Sequence, residues 1–228
     1  LLLFFKKEVL PQVRFVRVLA ISSAYAGCSS ALVDDGVIVA EGRLTEQFGL
    51  AGALPALIDT VLARQSVDLV AVVVGPGSFT GLRAGISVAA GIGLALGVPV
   101  VGVSVTEALA AALPALGGRR LWIATEARRG RVFIDSGAGP VGFANEALPR
   151  PAGPVAIAGN AAALVAGTLA AKGRDVMLTS ARVPGVLQVA AVGVARAMGR
   201  VPPLAAVPLY VDAPEARQPA GGLRAAPV

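Results

Sequence analysis

With 228 residues, 55% of them hydrophobic and only 15% charged, the chain can bury a sizeable core and is not disordered along its whole length. Its formal charge of +6, from 17 Arg and 3 Lys against 14 acids, permits weak attraction to a polyanion without establishing nucleic-acid binding. The lack of any His excludes a histidine general base, Ser-His-Asp and Cys-His nucleophiles and His-containing metal sites; the lone Cys28 leaves no internal disulfide or thiolate cluster and fits a cytoplasmic setting.

Residues 1–15 lack a clear period and are expected to form a flexible extension. Its apolar Leu1-Leu2-Leu3-Phe4-Phe5 precedes Lys6-Lys7-Glu8, the reverse of a signal peptide. A short apolar strand follows over 16–21, and a second over 29–32 leads into Asp34-Asp35-Gly36, a hairpin turn signal. Residues 37–40 pair back, and a further antiparallel strand is expected to include Arg43 and Leu44. From 53 to 63 the apolar residues Leu54, Leu57, Ile58, Val61 and Leu62 mark one face of a helix. The β-branched run 69–74 reads as a central strand covered on both faces. A helix over 80–96 and a strand over 98–103 come next. Residues 84–106 carry no charge, yet Pro99 splits them, so a buried helix, turn and strand fit better than a membrane span.

Thr106 and Glu107 open a short helix that ends near Pro114. Strands are expected over 120–124 and 131–134, joined by a turn at Arg128-Arg129-Gly130, and a further strand over 155–158. An Ala-rich helix then runs to about residue 171, and another helix over 186–198 stops before Pro202-Pro203. The order, hairpin then strand and helix, occurs twice and predicts a duplicated α/β architecture. The expected divisions are an extension at 1–15, a first domain at 16–107, a second at 108–216 and a flexible tail at 217–228.

The most informative segment is Gly75-Pro76-Gly77-Ser78-Phe79-Thr80-Gly81-Leu82-Arg83, where the central strand hands over to a helix. Gly75, Gly77 and Gly81 let the backbone turn sharply and approach a neighbour, and Ser78 or Thr80 can cap the helix. The spacing is neither a dinucleotide fingerprint nor a phosphate-binding loop with its lysine. Tight packing and contact with a ligand or partner both remain open readings of it.

That segment, its continuation 84–89, Pro99-Val100-Val101-Gly102-Val103-Ser104, residues 127–133, Ala158-Gly159-Asn160 and Pro208-Leu209-Tyr210-Val211 with Ala213-Pro214 together resemble the bacterial TsaB family over about residues 16–216. The resemblance implies an acetate-kinase/hsp70/actin-like (ribonuclease H-like) fold with two duplicated domains and a degenerate nucleotide cleft. It implies a non-catalytic dimerisation subunit that pairs with a larger TsaD paralogue, which transfers threonylcarbamoyl to N6 of adenosine 37 in tRNAs reading codons that begin with A. An ATPase, TsaE, joins them, tRNA is met only through the complex, and the family forms homodimers when alone. It implies no cofactor of the chain's own, with ATP or ADP at the interface with the paralogue, and no membrane association.

Two departures from the family pattern matter. Ser22-Ser23 stand where members carry Asp-Thr, and two serines offer no charge to hold a divalent ion. Leu50 stands where members often have His. Neither departure harms a scaffold, whereas an actin-like ATPase or M22-type peptidase relative would need acids or histidines in the cleft. No catalytic residue and no metal site are therefore expected. The many apolar and small residues of the two first-domain helices point to a partner face carrying Leu54, Leu57, Ile58, Arg83, Ala84 and Ala89. Cys28 reads as a packed side chain, Tyr210 as an anchor for the C-terminal segment, and Arg128, Arg129 and Arg131 as a solvated turn or a contact to tRNA or partner. Asp59, Glu107 and Glu126 show no sign of converging as an acid/base pair.

Overall fold

The computed structural model describes residues 16–45 and 49–212. The expected extension at 1–15, the tail at 217–228 and the Ala213-Pro214 pair lie outside the described residues, as does the Leu50 side chain.

The first sheet is a meander followed by two parallel strands. β1 (Arg17–Ser22) pairs antiparallel with β2 (Cys28–Asp34), and β2 with β3 (Val37–Leu44). The turn between β2 and β3 has positive φ at both Asp35 and Gly36, the geometry the Asp-Gly signal demands. Arg43 and Leu44 extend β3 rather than starting another strand, because β2 is long enough to pair with all of it. β4 (Leu69–Gly75) and β5 (Val100–Ser104) then join β1 in parallel, giving the order β3-β2-β1-β4-β5. Every residue of β4 is buried, as its unbroken apolar run requires.

Both faces of this sheet carry helices. α1 (Leu50–Leu62) and α2 (Phe79–Leu96) cover the face of Ile21, where Gly85 of α2 meets Ser23 and Ile21 and where Leu57 lies over Gly42 of β3. α5 (Val186–Ala197) covers the opposite face, its Gly193 set against Ala71. α2 is the one described helix long and apolar enough to cross a membrane. Its buried residues Leu82, Ile86 and Ala89 belong to the first core, which accounts for part of that apolar character.

The second sheet repeats the plan. β6 (Arg120–Glu126), β7 (Arg131–Asp135) and β8 (Pro140–Ala144) form the meander, and β9 (Val155–Ala158) and β10 (Val176–Leu178) add in parallel, in the order β10-β9-β6-β7-β8. β8 and β10 lack a sequence signal because both are short and half-exposed. α4 (Ala162–Ala171) packs on Trp122 and Ala124, while Ile123, on the other face, joins the first core. The duplicated α/β order expected from the sequence is thus present.

One expected boundary is corrected. α3 (Val105–Ala111) straddles the 107/108 division, and α5 with Leu204, Ala206 and Leu209 packs on the first core rather than the second. The second unit therefore ends near β10, and the chain returns to the first. An apolar helical face shows that a helix is buried but not which sheet buries it.

Candidate functional site

The glycine-rich turn closes on the loop after β1. Gly75 has φ 124°, the Gly75–Pro76 bond is cis, and Ser78 caps α2 by accepting from the Gly81 N–H at 3.3 Å. The Ser78 N–H donates to the Ala24 carbonyl at 2.6 Å. A Cβ at Gly77 would lie 2.1 Å from the Ala24 oxygen, one at Gly81 2.3 Å from the Ser23 oxygen, and one at Gly85 2.2 Å from Ser23 Oγ. These glycines therefore admit the neighbouring backbone, and two amides of the helix start are already satisfied. Thr80 is exposed beside them. Of the two readings of this motif, tight packing has the geometry.

The end of β1 does not suit a metal–phosphate group. Ser22 donates to the Pro184 carbonyl at 3.4 Å, and the Ser23 hydroxyl is buried with no partner among the described residues. Among those residues no three His, Cys, Asp or Glu side chains group as metal ligands would. Across the cleft, Glu126 accepts from Asn160 Nδ2 at 3.2 Å while its N–H donates to Asn160 Oδ1 at 2.9 Å. The Tyr25 hydroxyl is buried, and burial, with the charge of Glu126 second, pushes its phenol far above the usual range. Cys28 is buried too, and burial pushes its thiol up to about 11, so it packs and stays protonated. Glu107 is held by Arg196 and Glu126 by Asn160, so these carboxylates serve the fold separately.

The expected partner face divides. Leu54 and Ala89 are 0% exposed and Ile58 is 2%, so all three are core residues and no partner surface can include them. Leu57 and Ala84 are half-buried and pack against the same core. The periodicity that announces an amphipathic helix marks its inward stripe, which corrects the assignment. The outward stripe of α2 consists of Phe79, Ser87, Ala90, Gly91 and Leu94, the last 87% exposed. Leu94 carries no sequence signal of its own, because residues 84–96 are all apolar or small and leave the two faces of α2 without contrast.

Arg83 is already engaged. Its Nε donates to the Tyr210 hydroxyl at 2.9 Å, and its guanidinium lies 3.7 Å from the Phe79 ring centroid. Phe79 and Tyr210 rings stand 6.0 Å apart. Tyr210 thus anchors the segment in which the Leu209 N–H donates to the Val74 carbonyl at 2.8 Å and the Leu204 carbonyl accepts from the Gly102 N–H at 2.9 Å. Beyond it, Arg131 Nη1 donates to Asp212 at 2.8 Å, so the segment spans both sheets. Arg128 is exposed, and Arg129 sits in the turn with positive φ. Tyr210→Ala is expected to lower unfolding stability by about 1 kcal/mol, the range of an exposed cation–π and hydrogen-bond pair, measured by urea titration.

A family model described as TsaD, tRNA N6-adenosine threonylcarbamoyltransferase, matches residues 53–198. The tRNA threonylcarbamoyladenosine biosynthesis protein TsaB of Escherichia coli K12 is 37% identical over 123 residues, which cover 52% of this chain and 53% of that protein. An uncharacterized protein of Mycobacterium tuberculosis H37Rv is 36% identical over 132 residues, covering 54% of this chain and 59% of its own length. The chain thus matches little more than half the length of these curated relatives. Among solved structures, YeaZ from Pseudomonas aeruginosa superposes with a TM-score of 0.65 at 25% identity, over 85% of this chain and all of that one. An uncharacterized Pseudomonas aeruginosa protein with similarity to peptidase YEAZ gives 0.68 at 22% identity, over 86% of this chain and 100% of that one. These two likenesses show that the fold of this chain is shared with those proteins. With residues 53–198, well over half of its length, matched by that model, the chain belongs to the TsaD family.

Proposed function

We propose that the chain is the non-catalytic partner of a TsaD-type paralogue in N6-threonylcarbamoylation of adenosine 37 in tRNAs reading codons that begin with A. The observation that carries this reading is the outward stripe of α2. It sets small residues, Ser87, Ala90 and Gly91, beside a Leu94 that is 87% exposed, on a helix whose opposite face puts Leu82, Ile86 and Ala89 into the first core. Small residues let a partner helix approach closely, and an exposed leucine gains from being covered. The end of β1, with Ser22 and Ser23 and no carboxylate, supports a supporting role rather than catalysis in this chain's own cleft. In this reading the stripe takes the paralogue in the complex and a second copy when the paralogue is absent. ATP or ADP is held at the interface with the paralogue, not by this chain alone, a TsaE-type ATPase completes the assembly, and it acts in the cytoplasm.

Leu94→Arg tests the placement, because its exposure lets the variant fold unchanged. The expected result is an unaltered circular dichroism spectrum with binding to the paralogue weakened about 30-fold or more, since an unpaired charge in a covered seam costs about 2–5 kcal/mol. Sedimentation of the mixture gives the affinity, and threonylcarbamoyl transfer in the reconstituted system should fall with it. Unchanged association and full transfer would refute the placement. ATP hydrolysis by the chain alone, abolished by a substitution in its own cleft, would instead favour the actin-like ATPase alternative.

A further inference from the structure

The second sheet carries a groove of its own. On the α4 side of that sheet, side chains alternate so that Arg120 and Trp122 of β6 share a face with Ile134 of β7 and with Val141 and Phe143 of β8. α4 covers part of this face. The part it leaves open is a groove of about 270 Å³, walled on one side by Pro149, Arg150 and Ala152, with an apolar floor and two arginines at its rim. No acid lines it. The prolines on either side of Arg150 hold its backbone, so its guanidinium is presented at reduced entropic cost.

A second hollow of about 340 Å³ adjoins it through Arg150 and Ala152 and adds Arg174 and Asp175. Its single carboxylate is already taken, because Arg119 Nη1 donates to Asp175 at 2.6 Å. Arg120, Arg150 and Arg174 have no ion-pair partner among the described residues. Two such guanidiniums at the rim of an apolar trough, with a third in the hollow beside it, suit an anionic polymer whose flat, less polar faces alternate with its charges. Arginine forks match phosphate geometry, and apolar or aromatic side chains accept the face of a base or ribose.

We propose that this groove is an RNA contact, with Arg120 and Arg150 each taking a backbone phosphate and the Val141–Phe143 floor taking a base or ribose face. The choice of RNA rests on the reading that the chain works in a complex acting on tRNA, and on the +6 charge of the chain. The contact lies in the second domain, away from the α2 stripe assigned to the protein partner.

The test is a fluorescence-anisotropy titration of end-labelled tRNA against the complex with the TsaD-type paralogue, over a series of KCl concentrations. Arg120→Gln/Arg150→Gln is compared with wild type and with Arg200→Gln, an exposed arginine in the return segment to the first domain. The double variant should weaken binding about tenfold near 0.15 M salt and flatten the log–log salt slope by about 1.4–1.8, at ~0.7–0.9 for each phosphate that is no longer neutralised. Arg200→Gln should leave that slope unchanged, and the mass of the complex should be the same for all three. An unaltered slope in a folded double variant would overturn the proposal, as would an equal weakening in Arg200→Gln, which would mark a mere net-charge effect. Displacement of tRNA by micromolar AMP would make the groove a mononucleotide site, and displacement by polyglutamate but not by unlabelled tRNA would make it an acidic-peptide site; either result overturns the RNA contact. Should the double variant unfold, Arg150→Gln alone, on the connecting segment, should give half the slope change. If no complex forms with the paralogue, the partner reading fails separately, and the groove is still read by titrating the chain alone with the same tRNA.

Discussion

Gly81→Ala should lower the unfolding free energy by about 3 kcal/mol, whereas Gly91→Ala in the same helix should raise it by about 0.5–1 kcal/mol. The contrast follows from what each new Cβ would meet. At Gly81 it would sit 2.3 Å from the Ser23 carbonyl oxygen, and at Gly91 nothing lies within 4 Å. The obstacle at Gly81 is backbone, and that backbone has little room to retreat. Ser23 follows directly on β1, and the next carbonyl, Ala24, is tied to the Ser78 N–H at 2.6 Å. Relief would therefore have to come from sliding α2 off the sheet, which would open the packing of Leu82 and Ile86 on the first core. Against this, alanine regains about 1 kcal/mol of helix propensity, so the strain itself is nearer 4 kcal/mol. Urea unfolding with an unchanged m-value measures both variants. A loss below about 1 kcal/mol at Gly81 would show that the loop after β1 yields, and would reopen the ligand reading of the turn. Gly85→Ala should be intermediate, because its obstacle is the Ser23 side chain.

The fold is legible in the sequence wherever a local pattern decides the outcome. The all-apolar run of β4, the Asp-Gly turn after β2 and the helical period of α1 each specify an element without reference to the rest of the chain. The duplication emerges because the same order of patterns occurs twice. What stays hidden is what depends on distant packing. β8 and β10 are held by neighbours rather than by their own hydrophobicity, and the return of α5 to the first sheet leaves no mark on its sequence. The candidate site divides in the same way. The glycine spacing of the turn is readable, and so is Tyr210 as an anchor, from an aromatic ring that can pack and a hydroxyl that can pair near the C-terminus. A partner face at Leu54, Ile58 and Ala89 fails because apolar character in an amphipathic helix marks the core, not the surface. Arg120 and Arg150 lie 30 positions apart, and only the register of β6 to β8 and the path of the 149–152 segment bring them to one groove.

Glu107→Ala should cost about 4 kcal/mol, because it removes the counterion of a buried arginine and a helix cap together. The Arg196 side chain is only 4% exposed, and its three donor groups are all used. Nε donates to the Pro202 carbonyl at 2.7 Å, Nη1 to the Gly102 carbonyl at 2.6 Å, and Nη2 to the Glu107 carboxylate. Glu107 also accepts from the Ser104 N–H and hydroxyl, each at 2.9 Å, while its own N–H donates to Ser104 Oγ at 3.1 Å. The network therefore ties β5, α3, α5 and the turn at Pro202 into one unit. Arg196→Met, which removes the charge itself, should cost less, about 2 kcal/mol, since the half-exposed Glu107 can turn to water. The double variant Glu107→Ala/Arg196→Met should then fall well short of the sum of the single effects, the sign of direct coupling. Burial pushes the Glu107 carboxyl up, but the Ser104 hydrogen bonds and the Arg196 guanidinium outweigh it and hold the group below the usual carboxylate range. A carboxyl depressed in the folded state adds stability that is complete above its unfolded value of about 4.3 and is lost as pH falls through the folded value. Wild type should accordingly lose stability below about pH 4.3 faster than Glu107→Gln, and the gap between them should narrow toward pH 3. Urea midpoints measured from pH 7 down to pH 3 would decide it. A gap that stays constant across that range would mean that the carboxylate charge contributes nothing, and that Arg196 is held by the Gly102 and Pro202 carbonyls alone.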